Sequence, residues 1–201
     1  PALKLVSLYV DQVPEPELSR ALAEKYGFRL TKTIDDALTL GTNQLRVAGV
    51  LSIGEHGNYP FTPDTKQHMY PRRRFFEQIV ATFERCGQTV PVFNDKHLAY
   101  RWDDARWMYD ASRRLGFPLL AGSSVPGAWR HPAVELPRDT PLAGALTIGY
   151  SGFEAYGFHT LEAHQAVIER RRGGETGVTS VQVAQGEAIR QAEADGRWSR
   201  A

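Results

Sequence analysis

A chain of 201 residues, 42% of them hydrophobic, can bury a core of its own as one large domain or as one domain with an appendage. Its 24 Lys and Arg against 23 Asp and Glu exclude a global charge that would draw it to nucleic acid or to a membrane surface. The lone Cys86 excludes an internal disulfide framework and fits a reducing compartment; placed in a helical pattern before Gly87, it reads as a structural thiol. No apolar run approaches the ~18–20 residues that span a bilayer, and no signal peptide is visible, so a cytoplasmic setting is expected. The chain opens at Pro1-Ala2-Leu3 without Met, so a segment ahead of it has to be considered.

In chain order, 3-LKLVSLYV-10 predicts a strand that ends at Asp11. Leu18, Leu22 and Tyr26 at i, i+4 and i+8 predict a helix over 16–27 that stops at Gly27. An extended piece over 28–33 leads to 34-IDDALTL-40, a helix start with acids in the first turn, where the dipole favours them. The run 47-VAGVLSIG-54 predicts a fully buried strand, and 72-RRRFFEQIVATFERCG-87 an amphipathic helix. Strand 90–93, helix 102–116 and strand 117–122 follow. Strands alternating with helices of this length imply βαβ units and a parallel sheet. The expected fold is therefore α/β, a Rossmann-like parallel sheet with helices on both faces over 1–122. Past the Pro-rich crossover 123–141, a smaller α/β part over 123–201 is expected, with strands at 143–151 and 177–186, an amphipathic segment at 158–171 and a polar helix at 187–200.

Polar residues that follow buried strands are the candidates for chemistry, because the C-terminal rim of a parallel sheet is where α/β proteins place it. Asp11 ends the first strand, where an acid can accept hydrogen bonds from ribose hydroxyls and so favour NAD over NADP. The fingerprint G-x-G-x-x-G, which lets backbone amides approach a pyrophosphate, is absent from the chain. Glu55 and His56, between Gly54 and Gly57, are placed for acid–base work or ligand contact. Arg72, Arg73 and Arg74 oppose the dipole at a helix start, which asks either for solvent screening or for an anion nearby. In 94-NDKH-97, strand alternation puts Asn94 and Lys96 on one side and Asp95 and His97 on the other. A partly buried Lys96 is readily tuned toward a neutral amine. His159 and Glu162, at i and i+3 of a helix starting near Phe158, share a face; two ligands do not make a metal site, and none is expected. The run 169-ERRRGGE-175 reads as a solvated helix end.

The order of pieces from 3 to 122, and above all 90-VPVFNDKHLAYRWDDARWMYDASRRLGFPLLAGSS-124, resembles the N-terminal domain of the glucose–fructose oxidoreductase/inositol dehydrogenase (Gfo/Idh/MocA) family. Asp95-Lys96-His97 stands where that family has Glu-Lys-Pro, so the resemblance implies that Lys96 is a catalytic lysine. The segment 158-FHTLEAHQAVIERRRGGETGVTSVQV-183 resembles the family's GxHxxD helix and following strand, which places His159 on its catalytic histidine and Glu162 on the acid after it. His97 replaces the usual proline, Ala155 the usual aspartate, and the Gly-rich N-terminal βα unit is missing. The resemblance implies an oxidoreductase acting on a hydroxyl or carbonyl of a sugar- or polyol-like small molecule, with NAD or NADP as cofactor. In that reading Lys96, His159, Glu55 and His56 are catalytic and Asp11, Glu55 and Asp95 hold the cofactor. Asn94, His97, Arg72, Ser123 and Glu162 meet substrate. Two rivals keep the crevice without the dinucleotide: a lyase, isomerase or hydrolase, with or without a metal, and a degenerate Rossmann-like binding module. The partner expected is a small molecule, not nucleic acid or membrane, with homo-oligomerisation open.

Overall fold

The computed structural model describes residues 3–198. Its elements run β1 (Ser7–Tyr9), α1 (Ser19–Tyr26), β2 (Arg29–Thr31), α2 (Ile34–Thr39), β3 (Val50–Ser52), α3 (Arg72–Cys86), β4 (Val92–Asp95), α4 (Trp102–Leu115), β5 (Leu119–Gly122), α5 (Phe153–Ile168) and α6 (Glu187–Ala194). All the strand pairings are parallel, and helices connect them, so the chain is a Rossmann-like α/β protein. The strands form two ladders rather than one sheet, β1-β2 and β3-β4-β5.

Local chemistry explains the helix bounds. Thr33 caps α2 by accepting the Asp36 N–H, and Asp35 and Asp36 fill the first turn. Gly27, Gly87 and Gly116 end α1, α3 and α4 at φ near +65°, a backbone region open to glycine without steric cost. The apolar stripe of α3 (Phe76, Ile79, Val80, Phe83) packs against Val92 of β4, Met108 of α4 and Phe117, with Ile34 and Leu38 of α2 on its other flank. Phe83 meets Phe117 edge-on at 5.2 Å.

Several expectations are corrected here. The strand at 47–54 is buried on one side only: Ser52 is 5% exposed, whereas Leu51 is 68% exposed, because the helices α2, α3 and α4 share one face of the ladder. The stripe Leu18, Leu22, Tyr26 of α1 stays exposed, since little packs on that helix. The segments 143–151 and 177–186 are not strands. Their alternating apolar residues, such as Ile148 and Val181, are exposed, and an isolated extended segment without a neighbour to pair with is unstable in water. The helix expected near Phe158 begins five residues earlier, at Phe153.

Phe76 is fully buried at the centre of this core. Phe76→Ala should cost about 3–5 kcal/mol in urea unfolding, the scale for removing a buried aromatic ring, whereas the exposed Leu51→Ala should cost well under half of that.

Candidate active site

The rim of β3-β4-β5 is organised by a buried cation. Arg72, the first residue of α3, is 2% exposed and lies under Gly54, where an added Cβ would come within 2.8 Å of the Arg72 Cγ. A glycine is thus required after β3 by close approach rather than by turn geometry. Arg72 donates to Glu55 Oε2 at 3.2 Å and to His97 Nε2 at 2.9 Å, and its guanidinium stacks over Tyr70. Accepting at Nε2 fixes the His97 proton on Nδ1.

Lys96 completes the group. Its Nζ lies 3.0 Å from Glu55 Oε2 and 2.6 Å from Asp95 Oδ2, with 21% of the side chain exposed. Strand alternation would have set Lys96 and Asp95 on opposite sides, but the extended backbone stops at Asp95. Lys96 adopts φ +66° and its N–H donates to Gly122 O, which swings its ammonium back onto Asp95. A bulky residue in the left-handed region is costly and is found where the surroundings enforce it. His56 does the same at φ +61°. Burial pulls the Lys96 pKa down, but hydrogen bonds and charge from Asp95 and Glu55 outweigh it and hold it above the ordinary lysine value. The expectation of a neutral amine is therefore corrected: Lys96 is a fixed ammonium.

Behind Lys96, α5 folds over the end of β5. His159 Nδ1 lies 2.6 Å from Ser123 Oγ, and Glu162 accepts the Ser123 N–H at 3.2 Å. Ser123 Oγ already accepts the Val125 N–H, so its own hydroxyl is free to donate to His159 Nδ1 and leave a proton on Nε2. Phe158 meets the His97 ring edge-on at 5.2 Å and joins the two groups. The structure thus brings Glu55, Arg72, Asp95, Lys96, His97, Ser123, His159 and Glu162 to one end of the ladder.

Other candidates go elsewhere. Asn94 is fully buried and donates to the carbonyls of Asp95 and His97, so it shapes the loop and does not meet substrate. His56 is exposed, outside this group. Arg72 and His97 are occupied with each other and support Glu55 from below. Asp11 accepts from Tyr9, Tyr59 and both terminal nitrogens of Arg74, at 2.6–2.9 Å. Those donors fill the acceptor positions of a carboxylate and leave none for a ribose. The Arg74 hydrogen bonds hold Asp11 well below the usual carboxylate range, against the opposing effect of burial. Burial and Asp11 together push Tyr59 up to about 12. Asp11 is thus closed to a ribose, and no G-x-G-x-x-G turn follows a strand among the described residues.

The arginine run needs neither solvent nor an outside anion. Arg72 has Glu55, Arg73 has Glu77 and Asp104, and Arg74 has Asp11. Arg73 also lies over Trp107 at 3.5 Å. Similarly, the basic run after α5 is tied down: Arg170 donates to Leu136 O and Arg171 to Ile168 O and Thr176. It borders a cavity of about 460 Å³ that includes neither Lys96 nor His159. Tyr9, Tyr59 and Phe158 are the residues that sequence reasoning missed, and Arg74 was singled out without its partner Asp11; among the missed ones only the Phe158-His159 adjacency gave a signal. Among the described residues no three His, Cys, Asp or Glu side chains gather to hold a metal ion, and no helix is long and apolar enough to cross a membrane.

No protein-family model and no curated protein matches the chain. Among solved structures, it is similar to biliverdin reductase from Synechocystis sp. PCC 6803 in complex with biliverdin and NADP+, at 15% identity and a TM-score of 0.41. The match covers 82% of this chain and 48% of that one, so the chain spans about half the length of that structure.

His97 gives this site a pH dependence. Burial, then the Arg72 charge, lower its pKa to about 4, against 6.5 for a free imidazole. The unfolded chain therefore takes up the proton first as pH falls. Stability should drop between pH 6.5 and 4, by roughly 3 kcal/mol at most, and this contribution should be flat below pH 4. Urea midpoints across that range should show the slope in the native chain and a reduced slope in His97→Phe.

Proposed function

We propose that this crevice is the substrate side of an oxidoreductase-like enzyme acting on a hydroxyl or carbonyl of a sugar- or polyol-like molecule. The observation that carries the reading is the Lys96 ammonium, held by two carboxylates at the end of β4 beside the Ser123–His159 pair. An ammonium has three donors; Glu55 and Asp95 take two, and the third is left for a substrate oxygen. Fixed in place and charged, it would stabilise negative charge that develops on that oxygen, at no reorganisation cost. His159, its ring steadied by Ser123 at Nδ1, would present its Nε2–H as a second hydrogen-bond donor to the same oxygen. Hydride transfer would need NAD or NADP, held by residues other than Asp11.

One observation favours a second reading. The close Ser123–His159 contact is also the start of a nucleophile–base pair, which would suit a hydrolase, lyase or isomerase that needs no dinucleotide. Among the described residues no third group hydrogen-bonds His159 in the way such a pair requires, so the first reading stands ahead.

Lys96→Met keeps most of the stem and removes the charge. Turnover of a polyol and sugar panel with NAD or NADP should fall at least ~100-fold, the scale for losing a positioned proton donor. The melting temperature should move little, since two carboxylates left facing each other can take up water at a partly exposed site. Unchanged turnover in Lys96→Met, with activity abolished in Ser123→Ala, would replace this reading by the hydrolytic one.

A further inference from the structure

Away from the Lys96 crevice, the segment before Thr140 is fastened to the C-terminal end of α5. The Thr140 N–H donates to Arg170 O and the Arg172 N–H to Thr140 O, which makes a parallel bridge between Thr140 and Arg171. Arg170 adds a side-chain bond to Leu136 O at 2.8 Å. Two cavities lie along this seam and share Arg170, one of about 460 Å³ and one of about 280 Å³. Ala166 borders the first and Val167 the second. Both stand about 10–12 Å along α5 from His159, at a rise of ~1.5 Å per residue.

The larger cavity is bordered by both signs of charge, Arg138, Arg170 and Arg171 against Asp139 and Glu169. Several of these already have partners. Arg171 donates to Ile168 O and Thr176 Oγ1, and Arg170 lies 3.6 Å from Glu135. Arg138 and Asp139 do not. Among the described residues neither side chain has a hydrogen bond or an ion pair, although the two are neighbours in sequence and border one cavity. Asp139 takes φ +62°, and the Thr140 hydroxyl donates back to Pro137 O, so a tight turn presents the two charges without closing them on each other. An unpaired cation and an unpaired anion on one space match a ligand that carries both charges. A simple anion would satisfy Arg138 and stand against Asp139.

The smaller cavity is of a different kind. Pro132, Val134, Leu136 and Val167 line it together with Arg130 and Arg170. The charged ends of those two arginines are turned to main chain, Arg130 to Val134 O and Arg170 to Leu136 O. What remains is an aliphatic wall, continuous through Arg170 with the charged space beside it.

We propose that the two cavities form one binding site for an α-amino acid with an aliphatic side chain. The carboxylate would meet Arg138, whose planar fork suits two carboxylate oxygens, and the ammonium would meet Asp139. The side chain would leave water for the wall of Val134, Leu136 and Val167, which is the apolar part of the binding energy. A mostly apolar hollow with a few convergent charges is the usual form of a small-molecule site. This inference is independent of the oxidoreductase reading, since neither cavity includes Lys96 or His159.

Calorimetric titration of the whole chain tests it with leucine, with leucinamide, which lacks the carboxylate, and with isocaproate, which lacks the amine. Leucine should bind saturably, and each analogue at least ~10-fold more weakly, the scale of a hydrogen bond to a charged group. Alanine should also fall at least ~10-fold behind leucine, for want of the apolar side chain. Arg138→Gln, Asp139→Asn and Val134→Asp change exposed positions, so the melting temperature should hold while leucine affinity drops ~10-fold or more in each. Asn at 139 tolerates the left-handed backbone there. Three results would overturn the assignment: no saturable leucine binding, isocaproate binding as tightly as leucine (a site for simple anions), or full leucine affinity in all three variants.

Discussion

Arg72 carries a full charge into a place where 2% of the residue meets solvent, and the rim of the ladder is built around keeping it there. A buried guanidinium is tolerated only when its hydrogens find acceptors and a counter-charge lies close. Glu55 supplies the counter-charge, His97 supplies a neutral acceptor, and Tyr70 covers the planar face. Each of these partners is placed by a different element, so a single side chain ties the end of β3 to the start of α3 and the end of β4. Gly54 is the complement in the backbone: any side chain there would occupy the volume that the Arg72 stem fills. Among the described residues the Arg72 Nε finds no hydrogen-bond partner, so the arrangement is not free of cost.

The second cation, Lys96, depends on the first. Glu55 Oε2 accepts from both Arg72 and Lys96, so the carboxylate that neutralises the buried charge also aims the exposed one. The positive φ at Lys96 is the local consequence, because an extended residue at that position would point its ammonium away from Asp95. With two cations against two carboxylates the cluster has no net charge, and its polarity comes from geometry. What reaches solvent is one ammonium with a donor to spare, next to an imidazole held by a serine.

How much of this was legible can be argued from particular residues. The helices α2, α3 and α4 were, since the period of Phe76, Ile79, Val80 and Phe83, the acids at 35 and 36 and the terminal glycines are all local signals. Glu55, Lys96 and His159 could be singled out because each follows a strand or heads an apolar helix face. The roles of Asp11 and Asn94 were not legible. Asp11 looks like a free acid at a strand end, but Arg74 and Tyr59, 63 and 48 positions away, fill it. Asn94 looks like a rim residue, but its amide is turned inward to two carbonyls of its own loop. The strands expected at 143–151 and 177–186 fail for a related reason. Alternation describes what a segment could pair with and says nothing of whether a partner is there.

By itself the sequence determined the periods, the caps and the parallel α/β class, because these follow from interactions within a few residues of each other. It also determined which polar residues stand at strand ends. Only the tertiary structure decided the charge state of Lys96, the burial of Arg72, the closure of Asp11 and the separation of the strands into two ladders. Each of these depends on the distance between groups remote in sequence and on how much water is left between them. Those are the quantities on which electrostatic energies turn, and no local pattern in a chain encodes them.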